Sequence, residues 1–428
     1  MPTTPAQIEA QIRNNRLFEF PVTWSDELLF PYYDGLALSN ISQSIVAALG
    51  VPFEDSKPLL ADVWQAETPQ AKRVVVFLLD GVGYQHLNML MAEDEELRDA
   101  VLELNQGRAV MPLTSVAPST TVVALTSLWT GLPPASTGMT GTLMFLRDLS
   151  LLGNMLSFTP VVGRHPSDVI ANWGLPPEDI VTAQGLSDYL QLHDIPSYAV
   201  TNRAYVGSGL SRILHRGVDN IVTHIAMSDF MGEVASVLKA TQGKRSYVSI
   251  YWSGVDALAH RYGAHHPYTN DEIREKIFAL RDLVRQDLLA DGETLFMFFA
   301  DHGHYDATQA IDLGDDALIA DAMQMSLSGD ERHAYLYAKH GTVDAIKDHI
   351  KSHYADKLTV IESKQALELG YFGDTPSKHF IDRIGDLILI PRLGYTVADP
   401  KMGAIPMISR HAGLSDWEML IPFIWQLS

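Results

Sequence analysis

The chain has 428 residues, with 31 Lys plus Arg against 52 Asp plus Glu, a formal charge of −21, 46% hydrophobic residues and no cysteine. That hydrophobic share belongs to a folded chain, and the length lets roughly three quarters of the unfolded surface be buried without cross-links. The missing cysteine excludes disulfides, thiolate zinc sites, iron–sulfur clusters and cysteine-derived nucleophiles, while the acidic balance argues against binding a nucleic-acid polymer. Small phosphorylated substrates stay open, provided bound cations reverse the field locally.

Residues 1–20 show no basic start followed by an apolar run, so no secretory leader is read there. No apolar stretch of about 18 residues exists, so no membrane span is expected; both readings point to the cytoplasm. Residues 1–70 form a preamble with a helix at 40–49. Three short apolar runs follow, at 74–79, 247–252 and 294–300, each rich in β-branched or aromatic residues. Continuous hydrophobicity without alternation marks strands covered on both faces. Helical periodicity between them, as at 273–289, predicts a doubly wound α/β sheet. Residues 326–384 change texture: HAYLYA (333–338) and KLTVIES (357–363) read as strands around a helix at 343–353. The reading is therefore a catalytic core over 71–325, a small α+β insertion over 326–384, and a return to the core over 385–428 with a strand at 386–390.

Ligands of such sheets bind at the carboxyl ends of the strands. The residues standing there are Asp80-Gly81, Asp256 and Asp301-His302-Gly303. Asp256 and His260, in YWSGVDALAHRYG, are four apart, so one helix face presents both to a single ion. Taken singly, each of these carboxylates also reads as a strand-to-helix cap. His411 lies in ISRHAGLSDWEML, where Ser415 caps the next helix. Ser119, Thr120 and Thr121, in APSTTVVALTSLWTGLPP, precede an apolar helical run that stops at Gly131 with Pro133 beyond. A hydroxyl at a helix N-terminus meets free N–H groups and a positive field, which suits a phosphoryl group. An alcohol needs deprotonation before it attacks, and a divalent ion on its oxygen does this. A plain Ser/Thr capping run is the competing reading.

The order of these pieces resembles the alkaline phosphatase superfamily, and within it the type I phosphodiesterase/nucleotide pyrophosphatase family. The pieces are Asp-Gly after a strand, Thr before a helix ending TGLPP, Asp-x-x-x-His, Asp-His-Gly and a late His-x-Gly, spread over about residues 73–425. The resemblance implies a three-layer α/β/α sandwich with a mostly parallel central sheet and a small cap. It implies that Asp80, Thr121, Asp301 and His302 hold one ion, with Thr121 as nucleophile, and that Asp256, His260 and His411 hold the other. Two zinc ions are expected, since imidazole and carboxylate suffice for zinc, and the same ligands accept manganese or iron.

Three positions depart from the family pattern. Thr120 stands where the family carries Lys before its nucleophile, and Val122 where it carries an aromatic that stacks on a nucleobase. Thr142, in GMTGT, stands where the family places an Asn on a phosphoryl oxygen. The implied activity is hydrolysis of a phosphodiester or pyrophosphate bond through a covalent phospho-threonine, with Thr142 and the helix N-terminus at Val122 touching the substrate. The alternatives are a monoester or phosphonate substrate on the same ions, and a non-catalytic metal- or phosphate-binding protein. A phosphoglycerate-mutase-like isomerase shares the core but uses serine and a larger insertion. His304 and Asp306, in DHGHYD, read as loop residues, with a role orienting a ligand as the alternative. Asn202, Arg203 and Tyr205 sit at a further strand end.

Overall fold

A computed structural model describes residues 3–17, 22–53, 57–64, 68–289, 291–399 and 406–428. Its centre is a seven-stranded sheet in the order Met111–Thr114, Leu420–Leu427, Thr294–Phe299, Arg73–Leu79, Ser246–Trp252, Ser197–Asn202 and Asn220–His224. Only Leu420–Leu427 runs antiparallel to its neighbours; the pairs among the rest are parallel. The fold class is thus α/β with a mostly parallel central sheet. All seven residues of Arg73–Leu79 are buried, as expected for a strand covered on both faces. The three apolar runs became three adjacent strands, with Leu79 opposite Trp252 and Leu78 opposite Phe299. Their carboxyl ends therefore share one edge.

Helices cover the sheet. The preamble's helix, Ser39–Ala48, is buried almost throughout and bonds to the end of helix Thr121–Thr130 through Gln43 Nε2, which donates to the Gly131 carbonyl at 2.6 Å. That second helix stops at Gly131, whose φ of 67° is left-handed, the usual way for a helix to end on glycine.

A second seven-stranded sheet runs in the order Leu358–Glu362, Leu387–Pro391, His333–Leu336, Ser328–Asp330, Leu143–Leu146, Leu151–Asn154 and Thr159–Pro160. Its pairs are antiparallel. It draws strands from outside 326–384: residues 143–160 supply three, and Leu387–Pro391, expected as a core strand, pairs here with Leu358–Glu362 and His333–Leu336. Strands of two to four residues carry too little alternation to announce a sheet.

The two sheets are tied by a buried ion pair. Arg332 donates to both oxygens of Glu418 at 2.6 Å, with side chains 1% and 0% exposed. Burial alone would raise the Glu418 carboxyl, but the Arg332 guanidinium holds it below its ordinary value. Glu418 also accepts from the Gly413 N–H at 2.9 Å and the Ser415 hydroxyl at 2.6 Å, so it fixes the loop that follows His411.

Candidate metal centre and active site

Asp80 follows Arg73–Leu79 directly and is 1% exposed. The Tyr251 hydroxyl donates to its Oδ2, whereas Oδ1 is buried with no hydrogen-bond partner. The chain turns away at Gly81 with φ +82°, and a Cβ there would lie 2.8 Å from the His304 ring, so glycine is required. Asp301 is fully buried. Its Oδ1 accepts from the Gly81 and His302 N–H groups at 3.1 and 3.0 Å, and its Oδ2 has no partner. His302 Nε2 stands 3.5 Å from Asp80 Oδ1 and 3.4 Å from Asp301 Oδ2. Burial raises Asp80 well above the usual carboxylate range, reinforced by Asp301 and Asp256 nearby; burial raises Asp301 as well. A buried carboxylate oxygen without a partner is costly, and here two of them face one imidazole. A divalent cation between them would satisfy all three.

Thr121 is the first residue of helix Thr121–Thr130, with Thr120 as its N-cap. Its Oγ1 lies 3.1 Å from His302 Nε2. Val123 and Ala124 donate to the Thr120 carbonyl at 3.0 and 2.8 Å, so the preceding amides of that turn lack an intrahelical acceptor. The Val122 side chain is fully buried and offers the cleft nothing but its backbone. Thr142 lines the cleft with Thr121; its Oγ1 is 3.3 Å from Thr120 Oγ1, and its N–H donates to Asp330 Oδ2 at 3.1 Å.

The second cluster grows from helix Gly254–Tyr262. Asp256 and His260 share a helix face as their spacing predicts, with His260 Nε2 3.2 Å from Asp256 Oδ1. His260 Nδ1 meets the Ser409 carbonyl at 2.9 Å, which fixes the proton on that nitrogen and turns Nε2 inward. His411 Nε2 lies 3.7 Å from the same carboxylate, and its Nδ1 is 3.3 Å from the Ser119 carbonyl. The strand pair of Ser409–Arg410 with Tyr305–Asp306 and the bridge between Ser119 and Ala412 bring this late loop in. Burial works to raise Asp256, yet His260 and His304 outweigh it and hold the carboxyl well below its ordinary value.

His304 was read as a loop residue and is instead part of this cluster. It is 2% exposed, with Nε2 2.8 Å from Asp256 Oδ1 and Nδ1 3.1 Å from Ser409 Oγ; burial pushes it down to about 4. Ligand atoms of Asp256, His260, His304 and His411 lie within 4.8 Å of one another, as do those of Asp80, Asp256 and His302. The two groups share Asp256, so they adjoin. Asp306 stands aside: its Oδ1 accepts from the Ala264 N–H at 2.7 Å and secures the turn after helix Gly254–Tyr262. Tyr205 lines the cleft, its hydroxyl 2.7 Å from Ser253 Oγ, while Arg203 is exposed and Asn202 caps its own turn through Ala204 N–H. Asp330, from the second sheet, was not foreseen; it reaches Thr120 and Thr142 at the lip of the cleft.

With this geometry the sequence comparisons are decisive. The profile of the type I phosphodiesterase / nucleotide pyrophosphatase family matches residues 74–414. The chain belongs to that family. Its fold is similar to that of murine ectonucleotide pyrophosphatase / phosphodiesterase 5, at 17% identity and TM-score 0.62, over 82% of this chain and 87% of that one. It is similar to phosphonoacetate hydrolase from Sinorhizobium meliloti 1021, determined with phosphonoformate, at 18% identity and TM-score 0.61, over 83% and 90%. No curated protein matches the chain. Membership of this family makes the protein a hydrolase of phosphoric esters, with His/Asp clusters able to hold metal. Among the described residues no helix is long and apolar enough to cross a membrane.

Proposed function

We propose that the protein hydrolyses phosphodiester or pyrophosphate bonds with Thr121 as nucleophile and two divalent ions, zinc by preference, as cofactors. Asp80, Thr121, Asp301 and His302 would hold one ion, and Asp256, His260 and His411 the other, with His304 orienting Asp256. The observation that carries this reading is the Thr121 hydroxyl, set on the first turn of a helix 3.1 Å from His302 Nε2, beside two partnerless buried carboxylate oxygens. Such ions, when bound, neutralise phosphoryl charge and lower the pKa of hydroxyl and water.

The Thr121 oxygen, once deprotonated, attacks phosphorus in line. The Oγ1–P bond forms as the opposite P–O bond breaks, and the leaving oxygen departs on the side of Asp256, His260 and His411. The proton given up by Thr121 ends on that leaving oxygen. Water then attacks the phospho-threonine, the Oγ1–P bond breaks and a monoester is released, one water proton returning to the Thr121 oxygen and the other leaving with the monoester or to solvent. First-turn amides at Val122 and the Thr142 hydroxyl donate to phosphoryl oxygens. A buried valine in place of a stacking aromatic favours a substituent other than a nucleobase. The metal ligands alone do not exclude a monoester or a phosphonate.

The test is hydrolysis of bis-p-nitrophenyl phosphate beside p-nitrophenyl phosphate by zinc-loaded protein, with Thr121→Ala as control. The expected result is a diester rate well above the monoester rate, lost on chelation and reduced at least ~10³-fold in the variant. A monoester preference moves the function to a phosphatase, and an active Thr121→Ala removes the nucleophile.

A further inference from the structure

Helix Gly254–Tyr262 carries Asp256 and His260 but has no cap of its own. Ser253 stands at its N-cap position without a side-chain hydrogen bond to the helix, and its hydroxyl meets Tyr205 instead. A helix start without a side-chain acceptor needs another fixture. The next helix, Pro267–Arg285, supplies it. Trp252, the last residue of strand Ser246–Trp252, donates its indole N–H to Glu272 Oε1 at 2.6 Å. Lys276, one turn on, places Nζ 2.7 Å from the same oxygen and 4.7 Å from the centre of the indole ring. The ring is also packed by His224 and Phe230, at centroid distances of 5.2 and 4.5 Å. Gly254 lies directly on the indole–carboxylate hydrogen bond. A Cβ there would be 2.4 Å from Trp252 Nε1 and 2.6 Å from Glu272 Oε1, so the backbone that opens the helix fits only where these two groups leave room. At the far end, the Thr269 hydroxyl of Pro267–Arg285 donates to the Gly263 carbonyl at 2.8 Å. Both ends of the ligand-bearing helix are thus tied to its neighbour. None of Trp252, Glu272 and Lys276 lines the cleft, so they act on the site only through what they hold. A buried Lys–Glu pair adds little net stability over apolar side chains of similar size, so stability alone does not account for Lys276 at 1% exposure beside Glu272 at 16%.

We infer that Glu272 is a positioning residue for the second ion, an inference that rests on the two-ion reading above. Through the indole of Trp252 it fixes the turn at Gly254, and with it the places of Asp256, two residues on, and of His260, one helical turn beyond that. Lys276 offsets the burial of the Glu272 carboxylate. The ligands of the first ion are spared, because Trp252 reaches Asp80 only through its backbone, its carbonyl accepting the Asp80 N–H at 2.9 Å.

The experiment is chelator competition for zinc on the full chain, in three variants that leave every ligand in place. Glu272→Leu with Lys276→Met removes acceptor and ammonium together, so that no buried charge is left alone. It should weaken one zinc equivalent about 10-fold or more, the size typical of a partner behind a metal ligand. Glu272→Gln with Lys276→Met keeps an acceptor oxygen for the indole and should stay within about 3-fold of the wild type. Trp252→Phe deletes the donor from the other side and should match the Leu/Met variant, which keeps the test decisive should that variant fail to fold. Wild-type zinc affinity in both Leu/Met and Trp252→Phe overturns the inference. So does a Gln/Met variant as weak as Leu/Met, since the indole's hydrogen bond would then not be what matters. Turnover of bis-p-nitrophenyl phosphate by the wild-type chain is measured alongside. Turnover with unchanged affinities would sink the positioning role and spare the hydrolase; affinities that move as expected, with no turnover of any ester, would support the positioning role and sink the reaction.

Discussion

Asp301 and Asp256 are carboxylates at the same edge of the same sheet, and burial acts to raise both, yet they end on opposite sides of the ordinary range. Around Asp301 the neighbours are another carboxylate, Asp80, and a single imidazole, His302, at 3.4 Å. Around Asp256 three imidazoles converge, at 2.8, 3.2 and 3.7 Å. The first half of the site is short of positive charge and leaves two oxygens without partners; the second half is largely neutralised from within. The sheet-end half therefore depends on a cation for its stability as well as its chemistry, whereas the helix-borne half can hold its shape without one.

The sharpest way to break that contrast is to neutralise each carboxylate in turn. In Asp301→Asn the Oδ1 still accepts the Gly81 and His302 N–H groups, while the partnerless oxygen becomes an NH₂ facing Asp80. Metal-free Asp301→Asn should melt about 2 °C or more above the metal-free wild type, yet its zinc-loaded turnover should fall about 10³-fold. Asp256→Asn should do the reverse in the metal-free state, losing about 1–2 kcal/mol, because hydrogen bonds to a charged acceptor become bonds to a neutral one. Scanning calorimetry with and without chelator reads both signs. Two metal-free variants shifted in the same direction would remove the distinction between the halves.

Next in size is the ion pair that connects the second sheet to the second half of the site. Arg332 is 1% exposed and grips both oxygens of Glu418, and also donates to the Arg392 and Tyr395 carbonyls at 2.9 and 2.6 Å. Glu418 in turn holds Gly413, whose carbonyl accepts from Ser119 Oγ at 2.8 Å. Arg332→Met leaves a buried charge alone and should cost about 3–5 kcal/mol. Adding Glu418→Leu should recover much of that stability by removing the orphaned charge, but not the position of His411, since the tie to Gly413 is lost. Denaturant melts beside turnover separate the two effects, and a double variant with full activity would show that the pair is only structural.

How far this site could be read in advance depended on how local each signal was. Asp80, Asp256 and Asp301 were visible because each follows a buried parallel strand, whose unbroken apolar run is itself the signature. His260 was visible because four residues on a helix is one turn. Thr121 was visible only as one of three hydroxyls, with Ser119 and Thr120, ahead of an apolar helix with a Gly stop, and the family resemblance alone singled it out. Asp330 gave no sign, because it reaches Thr142 only through the pairing of Ser328–Asp330 with Leu143–Leu146, which joins stretches far apart in the chain.

His304 is the residue on which the comparison rests most finely. Two residues past His302, it looked like loop, because a loop has no periodicity to say where a side chain points. In place, it bridges Ser409 Oγ and Asp256 Oδ1, and the Gly81 turn is shaped around its ring. A group that orients a ligating carboxylate typically contributes a factor of 10–100 in metal affinity. His304→Gln should therefore weaken one of two zinc equivalents by about that factor and leave the other, held by Asp80, Asp301 and His302, near its wild-type affinity. Competition with a chromophoric chelator resolves the two steps. Loss of both equivalents together would mean that the halves, joined through Asp256, bind as a unit; retention of both at full affinity would reduce His304 to packing against Gly81.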